Sequence, residues 1–547
     1  MKNILIIISI IVLIYSCNQK EKTTNSDHEV KRPNILLIMA DDMGYTDIGC
    51  FGSEIETPNI DYLASQGLMF SNFHTSVSCS PTRSMLMSGT DNHIAGMGNM
   101  AELLTETQKG KPGYEGHLNK QVVSMAEIFK ENGYHTYMAG KWHLGHESEY
   151  TPFARGFERS FSMLQGGASH YSDMTGLQAA TQPVAKYVMD NKELKELPKD
   201  FYSSRSYADF LIDVIRNQID DGKPFLAYYA PTAAHDPIHV PEPWLSKYRG
   251  QYDEGYEVLK AKRIKKAKEL SIIQSNAIEP KFLGSVEPWS ELSDDEKALR
   301  ARIMEAYAGM INNMDYHIGR IINYLKDIDQ YDNTIIIFTS DNGPNPWEAE
   351  EYPGNGGNPW MDQFDNSLDN IGRPNSFVGI GMGWSQACAG PLDYFKLTTG
   401  EGGIRTPLII SGPKVQIKHK TDAFAYVTDI LPTLLDFSGI EHPKSYEGKD
   451  VEPISGYSFE PLATGKKSNI ISENEIICGE MIKGKWAIKG NYKAVQVAKP
   501  FSDGKWYLYN IKQDPGETQN LSDSKPELLK ELVVAWNDYS QRVGIID

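Results

Sequence analysis

The chain has 547 residues, 40% of them apolar, and carries 54 Lys and Arg against 72 Asp and Glu, for a formal net charge of -18. That length can bury a large core and fits one big domain plus a smaller one, or two to three units. The acidic balance excludes a nucleic-acid protein, because phosphate binding needs a basic stripe that displaces counterions.

Behind Lys2, a run that is apolar except for Ser9 extends from Ile4 to Tyr15, matching the charged and apolar regions of a secretory signal and too short to span a bilayer. The run ends in Ile14-Tyr15-Ser16-Cys17, which resembles a bacterial lipobox. The resemblance implies cleavage before Cys17, a diacylglycerol on its sulfur, and an exported protein anchored to a membrane at its periplasmic or cell-surface face. A plain signal peptide with an incidental cysteine is the alternative. On the first reading residues 1–16 are a lipoprotein signal, and residues 17–31, polar and without periodicity, form a tether.

Ile35 to Ala40 is continuously apolar and ends in Asp41-Asp42-Met43-Gly44, the pattern of a strand covered on both faces. The same pattern returns at 333–340, followed by Asp341-Asn342-Gly343. Both runs deliver acidic or amide side chains at strand carboxyl ends, where open α/β sheets bind ligands. Helices are predicted over 122–132, 207–219 and 297–325, the last with Ile303, Tyr307, Met310, Met314, Ile318, Ile321 and Leu325 at helical spacing. Further buried strands are predicted at 225–229 and 407–410. The alternation points to an α/β fold with a mixed, largely parallel sheet between helical layers.

Residues 252–292 are charged and helix-prone without a clear apolar stripe, so they are expected to form a surface excursion. Residues 344–383, rich in Gly, Asn, Pro and Trp, read as a long loop, and such loops in compact domains are often functional. After about residue 463 the pattern changes to short strands at 485–489, 492–498 and 505–511, then an amphipathic helix with Leu528, Leu529, Leu532, Val533, Trp536 and Tyr539 on one side. The expected division is a catalytic domain over 32–463 and a small α+β subdomain of antiparallel sheet and helix over 464–547.

Chemistry concentrates around Cys79-Ser80-Pro81-Thr82-Arg83. Ser80 suits an N-cap, Pro81 the first helical position and Gly89 the end, which predicts a helix over 81–88. Cys79 then sits before a helix N-terminus that favours an anion, with Arg83 about one turn away. Taken alone, a cysteine near a helix start reads more readily as a buried structural residue. Asp41, Asp42, Asp341 and Asn342 offer hard oxygen ligands, suited to Ca²⁺ or Mg²⁺ over zinc. Lys141 and His143 lie two apart and would share one side of an extended segment. His235 follows the strand at 225–229 and so lies at a sheet end; the roles of Asp236 and His239 stay open.

The pentapeptide matches the C-x-P-x-R signature of type I sulfatases, and the chain resembles bacterial arylsulfatases at 40–45, 89–93, 139–145, 340–343, 401–407, 506–510 and Asp514-Pro515. The resemblance runs from about residue 32 to the C-terminus. It implies an alkaline-phosphatase-like fold, oxidation of Cys79 to formylglycine by a sulfatase-maturing enzyme, and hydrolysis of a sulfate monoester of a small molecule or glycan. One divalent cation, most often Ca²⁺ in bacterial members, with Mg²⁺ as the alternative, is implied on Asp41, Asp42, Asp341, Asn342 and residue 79. The resemblance assigns Arg83 and Lys141 to the formylglycine and sulfate oxygens, His143 to the second hydroxyl of the formylglycine hydrate, and His235 with Lys396 to the leaving group. Rival readings are a phosphonate or phosphate esterase of the same superfamily and a sulfated-glycan-binding lipoprotein whose Cys79 is never oxidised. With Cys17 lipidated and Cys79 converted, Cys50, Cys388 and Cys478 allow at most one disulfide.

Overall fold

The computed structural model describes residues 32–546, so the signal, the tether and Cys17 lie outside the described residues. Strand Asn34–Ala40 is buried along its whole length. Leu36, Ile38 and Ala40 enter one core, and Ile35, Leu37 and Met39 enter another. Both faces are covered, which is why its apolar run does not alternate.

This strand lies inside an eleven-stranded sheet. Its parallel neighbours are Thr334–Ser340 on one side and Phe225–Ala230 on the other, followed by His135–Lys141 and Arg159–Met163. Arg405–Ser411 runs antiparallel to Thr334–Ser340, and Leu68–His74 antiparallel to Arg405–Ser411. The architecture is the expected mixed, largely parallel sheet. Helices Pro58–Gln66, Ser203–Gln218 and Asp294–Asp327 cover one face, and Cys79–Ser88, Met125–Glu131 and Ile430–Ser438 cover the other.

Register decides where the chemistry falls. Ala40 stands opposite Ser340, so Asp41 and Asp341 leave the sheet at one level. Asp41 then exchanges backbone hydrogen bonds with the loop after Phe225–Ala230: its N–H donates to Ala233 O at 3.0 Å, and Ala234 N–H donates to Asp41 O at 2.8 Å.

Several boundaries differ from expectation for identifiable reasons. The helix expected from 122 begins at Met125 because Ser124 and Glu127 form a reciprocal capping box, and the long helix begins at Asp294 because Ser293 and Glu296 form another. The segment read as a surface excursion contains helix Tyr256–Glu269, whose Tyr256, Leu259, Ile264 and Ala267 are buried. Its apolar stripe is masked by Lys260 and Arg263 on the same buried face, Arg263 being paired with Asp47 and with Glu54 at 2.8 Å.

The C-terminal sheet has four antiparallel strands. They are Ile476–Met481, absent from the sequence expectation, Gly484–Lys489, Tyr492–Gln496 and Tyr507–Asn510. One face carries Cys478, Ala487, Ala494 and Leu508 against Leu532, Trp536, Tyr539 and Val543 of helix Pro526–Val543. Met481, Trp486, Ile488 and Val495 continue the main core instead. Buried charges fasten the join. Lys493 Nζ donates to Glu401 Oε1 at 2.9 Å and Thr399 O at 2.8 Å, lies 2.9 Å from Glu517 Oε1, and His74 Nε2 meets Glu401 at 3.1 Å. Cys50, Cys79, Cys388 and Cys478 are all free, so no disulfide links the described residues.

His93 makes a second clamp. Its Nδ1 lies 3.0 Å from Asp91 Oδ1 and its Nε2 3.1 Å from Glu480 Oε2 on the C-terminal sheet, while Tyr539 Oη donates to Asp91 at 2.8 Å. Burial alone would lower the His93 pKa, but Asp91 and Glu480 together push it up to about 9 from 6.5. A folded-state pKa raised in this way stabilises the protein fully below about 6.5 and loses that contribution as pH rises through about 9. His93→Gln should cost about 3–5 kcal/mol at about pH 6, where two buried carboxylates lose their cation, and much less near pH 10. Equilibrium urea denaturation of both proteins at the two pH values checks this, and a pH-independent difference would contradict it.

Candidate active site

Helix Cys79–Ser88 starts two residues earlier in the chain than the sequence suggests: Ser78, in an extended conformation, is the N-cap, and Cys79 lies inside the first turn, displacing Ser80 from that role. Ser78 makes no side-chain cap bond; Thr82 Oγ1 instead accepts from Ser76 N–H at 2.9 Å and fixes the entry. The helix ends at Gly89, whose φ of 66° is readily available to glycine. Every residue of the helix is buried.

Cys79 Sγ lies 3.6 Å from Asp41 Oδ1 and 3.6 Å from Asp42 Oδ1. Burial, reinforced by Asp341, raises its thiol well above the ordinary range, the protonated and least nucleophilic state of a cysteine. Arg83, one turn along, donates from Nε and Nη2 to Asp341 Oδ2 at 3.0 and 2.8 Å. Its Nη1 donates to Lys141 O at 3.0 Å and Tyr228 Oη at 3.3 Å.

Lys141 ends strand His135–Lys141. Gly140, with φ of 121°, packs so closely that a Cβ would stand 1.9 Å from Ala230 O, so glycine is required for the strand to reach the site. Lys141 Nζ donates to both oxygens of Asp41 at 2.8 and 2.9 Å. At His143 the chain leaves the extended conformation, with φ of 57°. His143 Nε2 pairs with Glu102 Oε1 at 3.1 Å, and its Nδ1 is buried with no partner among the described residues. Burial lowers the His143 pKa against the pull of Glu102, giving a neutral ring that donates from Nε2 and keeps its lone pair on Nδ1.

Lys396 Nζ donates to Asp42 Oδ2 at 2.7 Å and approaches His235 Nε2 at 3.4 Å. His235 Nδ1 donates to Asp236 O at 2.8 Å, which leaves Nε2 facing Lys396 and Asp42 Oδ2, 3.3 Å away. The loop bearing His235 is braced from behind by His170 Nε2, which donates to His235 O at 3.0 Å. The segment 344–383, expected as a loop, ties to the same loop: Asn345 Nδ2 and Tyr352 Oη donate to Asp236 Oδ2 at 2.6 and 2.9 Å, and His239 Nε2 donates to Ser376 O at 2.7 Å. Asp236 and His239 thus anchor the segment that carries Trp347, which lines the pocket together with Met100, Leu103 and Leu177.

The carboxylates of Asp41 and Asp42, Cys79 Sγ and a His235 nitrogen lie within 4.8 Å of one another, a spacing that could hold a metal ion. Asn342 Nδ2 donates to Asp42 Oδ1 at 2.7 Å, whereas Asn342 Oδ1 is buried without a partner among the described residues. A buried orphan oxygen beside two carboxylates fits a hard divalent cation. Asp341 flanks the group: its Oδ2 holds Arg83, and its Oδ1 accepts from Asp42 N–H at 3.1 Å. His235, placed by the sequence reading on the leaving-group side alone, enters the ligand cluster as well. Burial pushes the Asp41 carboxyl up to about 8, even beside Lys141. Burial also opposes ionisation of Asp42 and Asp341, but Lys396 holds the first and Arg83 the second below the usual carboxylate range.

All of the expected residues therefore converge on one end of the sheet. Glu102, in the short turn Ala101–Leu103, was not foreseen, nor were Gln182 and Tyr228. Glu102 lies in no strand-end or glycine-turn pattern, so nothing local marks it.

The sulfatase family model matches residues 33–440, and a model for the N-sulphoglucosamine sulphohydrolase C-terminal region matches residues 394–535. An uncharacterized sulfatase of Schizosaccharomyces pombe is 42% identical over 536 residues, covering 95% of this chain and 96% of its own. An arylsulfatase of Klebsiella aerogenes is 40% identical over 438 residues, covering 80% of this chain and 93% of its own. Among solved structures, Ps i-CgsB superposes with a TM-score of 0.66 at 23% identity over 93% of each chain. A protein solved with its substrate D-glucosamine-2-N,6-O-disulfate superposes with a TM-score of 0.59 at 20% identity, covering 94% of this chain and 98% of its own.

If Asn342 Oδ1 is a ligand atom, Asn342→Leu should weaken binding of Ca²⁺ or Mg²⁺ on the order of 10-fold or more. Calorimetric titration of the metal-stripped protein measures this, and unchanged affinity would remove Asn342 from the ligand set.

Proposed function

The chain belongs to the sulfatase family and is a sulfuric ester hydrolase resembling arylsulfatases, and we propose that it cleaves sulfate monoesters at residue 79, matured from Cys79 to formylglycine, with one divalent cation, Ca²⁺ or Mg²⁺. Asp41, Asp42, Asp341 and Asn342 would hold the cation beside residue 79. The observation that carries this reading is the position of Cys79 within 3.6 Å of Asp41 and Asp42, in a buried cluster where Arg83 pairs with Asp341, Lys141 with Asp41 and Lys396 with Asp42. When present, the hydrated aldehyde supplies a nucleophilic hydroxyl and a second hydroxyl that allows sulfate to leave, and the cation draws charge from the sulfonyl oxygens.

The residues of the chain do the rest. Arg83, fixed on Asp341 and the Lys141 carbonyl, presents a rigid charge next to residue 79. Lys141 and Lys396 meet the negative charge of the ester in a dry, low-dielectric site. His143 accepts a proton at Nδ1, because Glu102 occupies Nε2 and stabilises the imidazolium as it forms. Lys396 Nζ lies 3.4 Å from His235 Nε2, and this pair delivers a proton to the departing oxygen. Trp347, Leu177, Met100 and Leu103 shield these groups from bulk water.

We infer that the substrate is a sulfated small molecule or glycan. Arylsulfatase relatives and a fold neighbour solved with a disulfated glucosamine support that range. A sulfatase-maturing enzyme would be required. We also propose export and anchoring through lipid on Cys17. Among the described residues no helix is long and apolar enough to cross a membrane. Cys17→Ala should move the protein from the membrane to the soluble fraction, and unchanged fractionation would contradict this.

Release of sulfate from nitrophenyl sulfate, measured beside phosphate release from nitrophenyl phosphate, tests the reaction itself; dominant phosphate release would overturn the sulfatase assignment of this site. His235→Ala refines the test. A nitrophenolate departs without a proton, whereas an alkoxide needs one. The variant should lose about 10²- to 10⁴-fold in kcat/KM with an alkyl or sugar sulfate and far less with nitrophenyl sulfate. An equal loss with both would make His235 a residue that positions sulfate or metal.

A further inference from the structure

Beyond the groups assigned above, the pocket that leads to Cys79 carries a lopsided charge. Its charged lining residues are Glu102 and Lys396, and Lys396 is committed to Asp42 at 2.7 Å. Glu102 Oε1 accepts from both His143 Nε2 and Gln182 Nε2, each at 3.1 Å. Glu102 Oε2 is buried and has no partner among the described residues. A buried carboxylate oxygen left unsatisfied in a binding pocket asks for a hydrogen-bond donor from whatever enters. His143, lowered in pKa by burial, supplies no fixed positive charge there. A second sulfate or a carboxylate on the leaving group would therefore meet a carboxylate and find no uncommitted cation among the lining residues.

We propose that this pocket selects sulfate esters whose leaving group carries no second anion, with Glu102 as the residue that sets the selection through its unpartnered Oε2. The oxygen would accept a hydrogen from a hydroxyl or ammonium group of the leaving group and repel a carboxylate or sulfate. The inference rests on the reading of Cys79 as the site of ester cleavage. It adds a charge class for the substrate, which neither the reaction nor the fold imposes. The size of the effect follows from two like charges a few ångströms apart in a partly desolvated site, on the order of 10- to 100-fold.

The test uses the full chain in two forms. Matured protein is assayed for kcat/KM with phenyl sulfates bearing an aminoethyl, ethyl or carboxymethyl group, and with N-acetylglucosamine 6-sulfate beside D-glucosamine-2-N,6-O-disulfate. Cys79→Ala protein is titrated calorimetrically with the same esters for Kd. The expected result is a preference of about 10- to 100-fold for neutral and cationic leaving groups over anionic ones in both measurements. Glu102→Gln should slow every substrate, because His143 loses its carboxylate, and should also collapse the charge preference to within about 3-fold. Gln182→Ala removes a neutral partner of the same carboxylate and should leave the preference intact. Equal or better binding and turnover of the anionic esters, or a preference that survives Glu102→Gln, would overturn the proposal while leaving the sulfatase reading standing. Failure of protein bearing the aldehyde at residue 79 to hydrolyse any sulfate ester would overturn both.

Discussion

Everything at this site follows from the problem of keeping three carboxylates buried at one end of a sheet. Asp41, Asp42 and Asp341 are fully excluded from water, and an unpaired buried carboxylate costs several kcal/mol. Arg83, Lys141 and Lys396 answer them one for one, each from a different part of the chain. With burial pushing the Asp41 carboxyl up to about 8, uptake of a divalent cation would release that proton.

The fold exists to hold that balance in register. Parallel pairing of Asn34–Ala40 with Thr334–Ser340 sets Asp41 and Asp42 beside Asp341 and Asn342, and Phe225–Ala230 brings the His235 loop alongside. Arg83 arrives on a helix from the opposite layer, and its guanidinium is spent on Asp341 and the Lys141 carbonyl. A second buried network sets Lys493 between Glu401 and Glu517. It locks the C-terminal sheet against the segment that carries Lys396. Glu401 therefore belongs to the join between the two sheets, although its motif follows Lys396 closely in sequence.

Much of this was legible in the sequence wherever burial is uniform. Strands such as Ile35–Ala40 and Ile335–Phe338 announce themselves because both faces are covered, and the acidic residues after them mark the sheet end. The cysteine motif and its helix were readable from Pro81, Arg83 and Gly89. What escaped were features that depend on tertiary pairing. Lys260 and Arg263 sit on the buried face of their helix and erase its stripe; Arg263 is acceptable there only because Glu54 and Asp47 meet it. Glu102 is an acid in an undistinguished turn until His143 reaches it across 41 positions. The left-handed backbone at His143 is a turn that residue spacing does not encode.

The central claim is that residue 79 acts only after conversion from a buried, protonated thiol. Preparations matured to different extents can be compared by quantifying, in the peptide that contains residue 79, the fraction carrying the aldehyde, and by measuring the rate of sulfate release from nitrophenyl sulfate for each. The account predicts a straight line through the origin, with activity proportional to aldehyde content and none in protein that retains the cysteine. Undiminished turnover in a preparation whose residue 79 is wholly cysteine would contradict it.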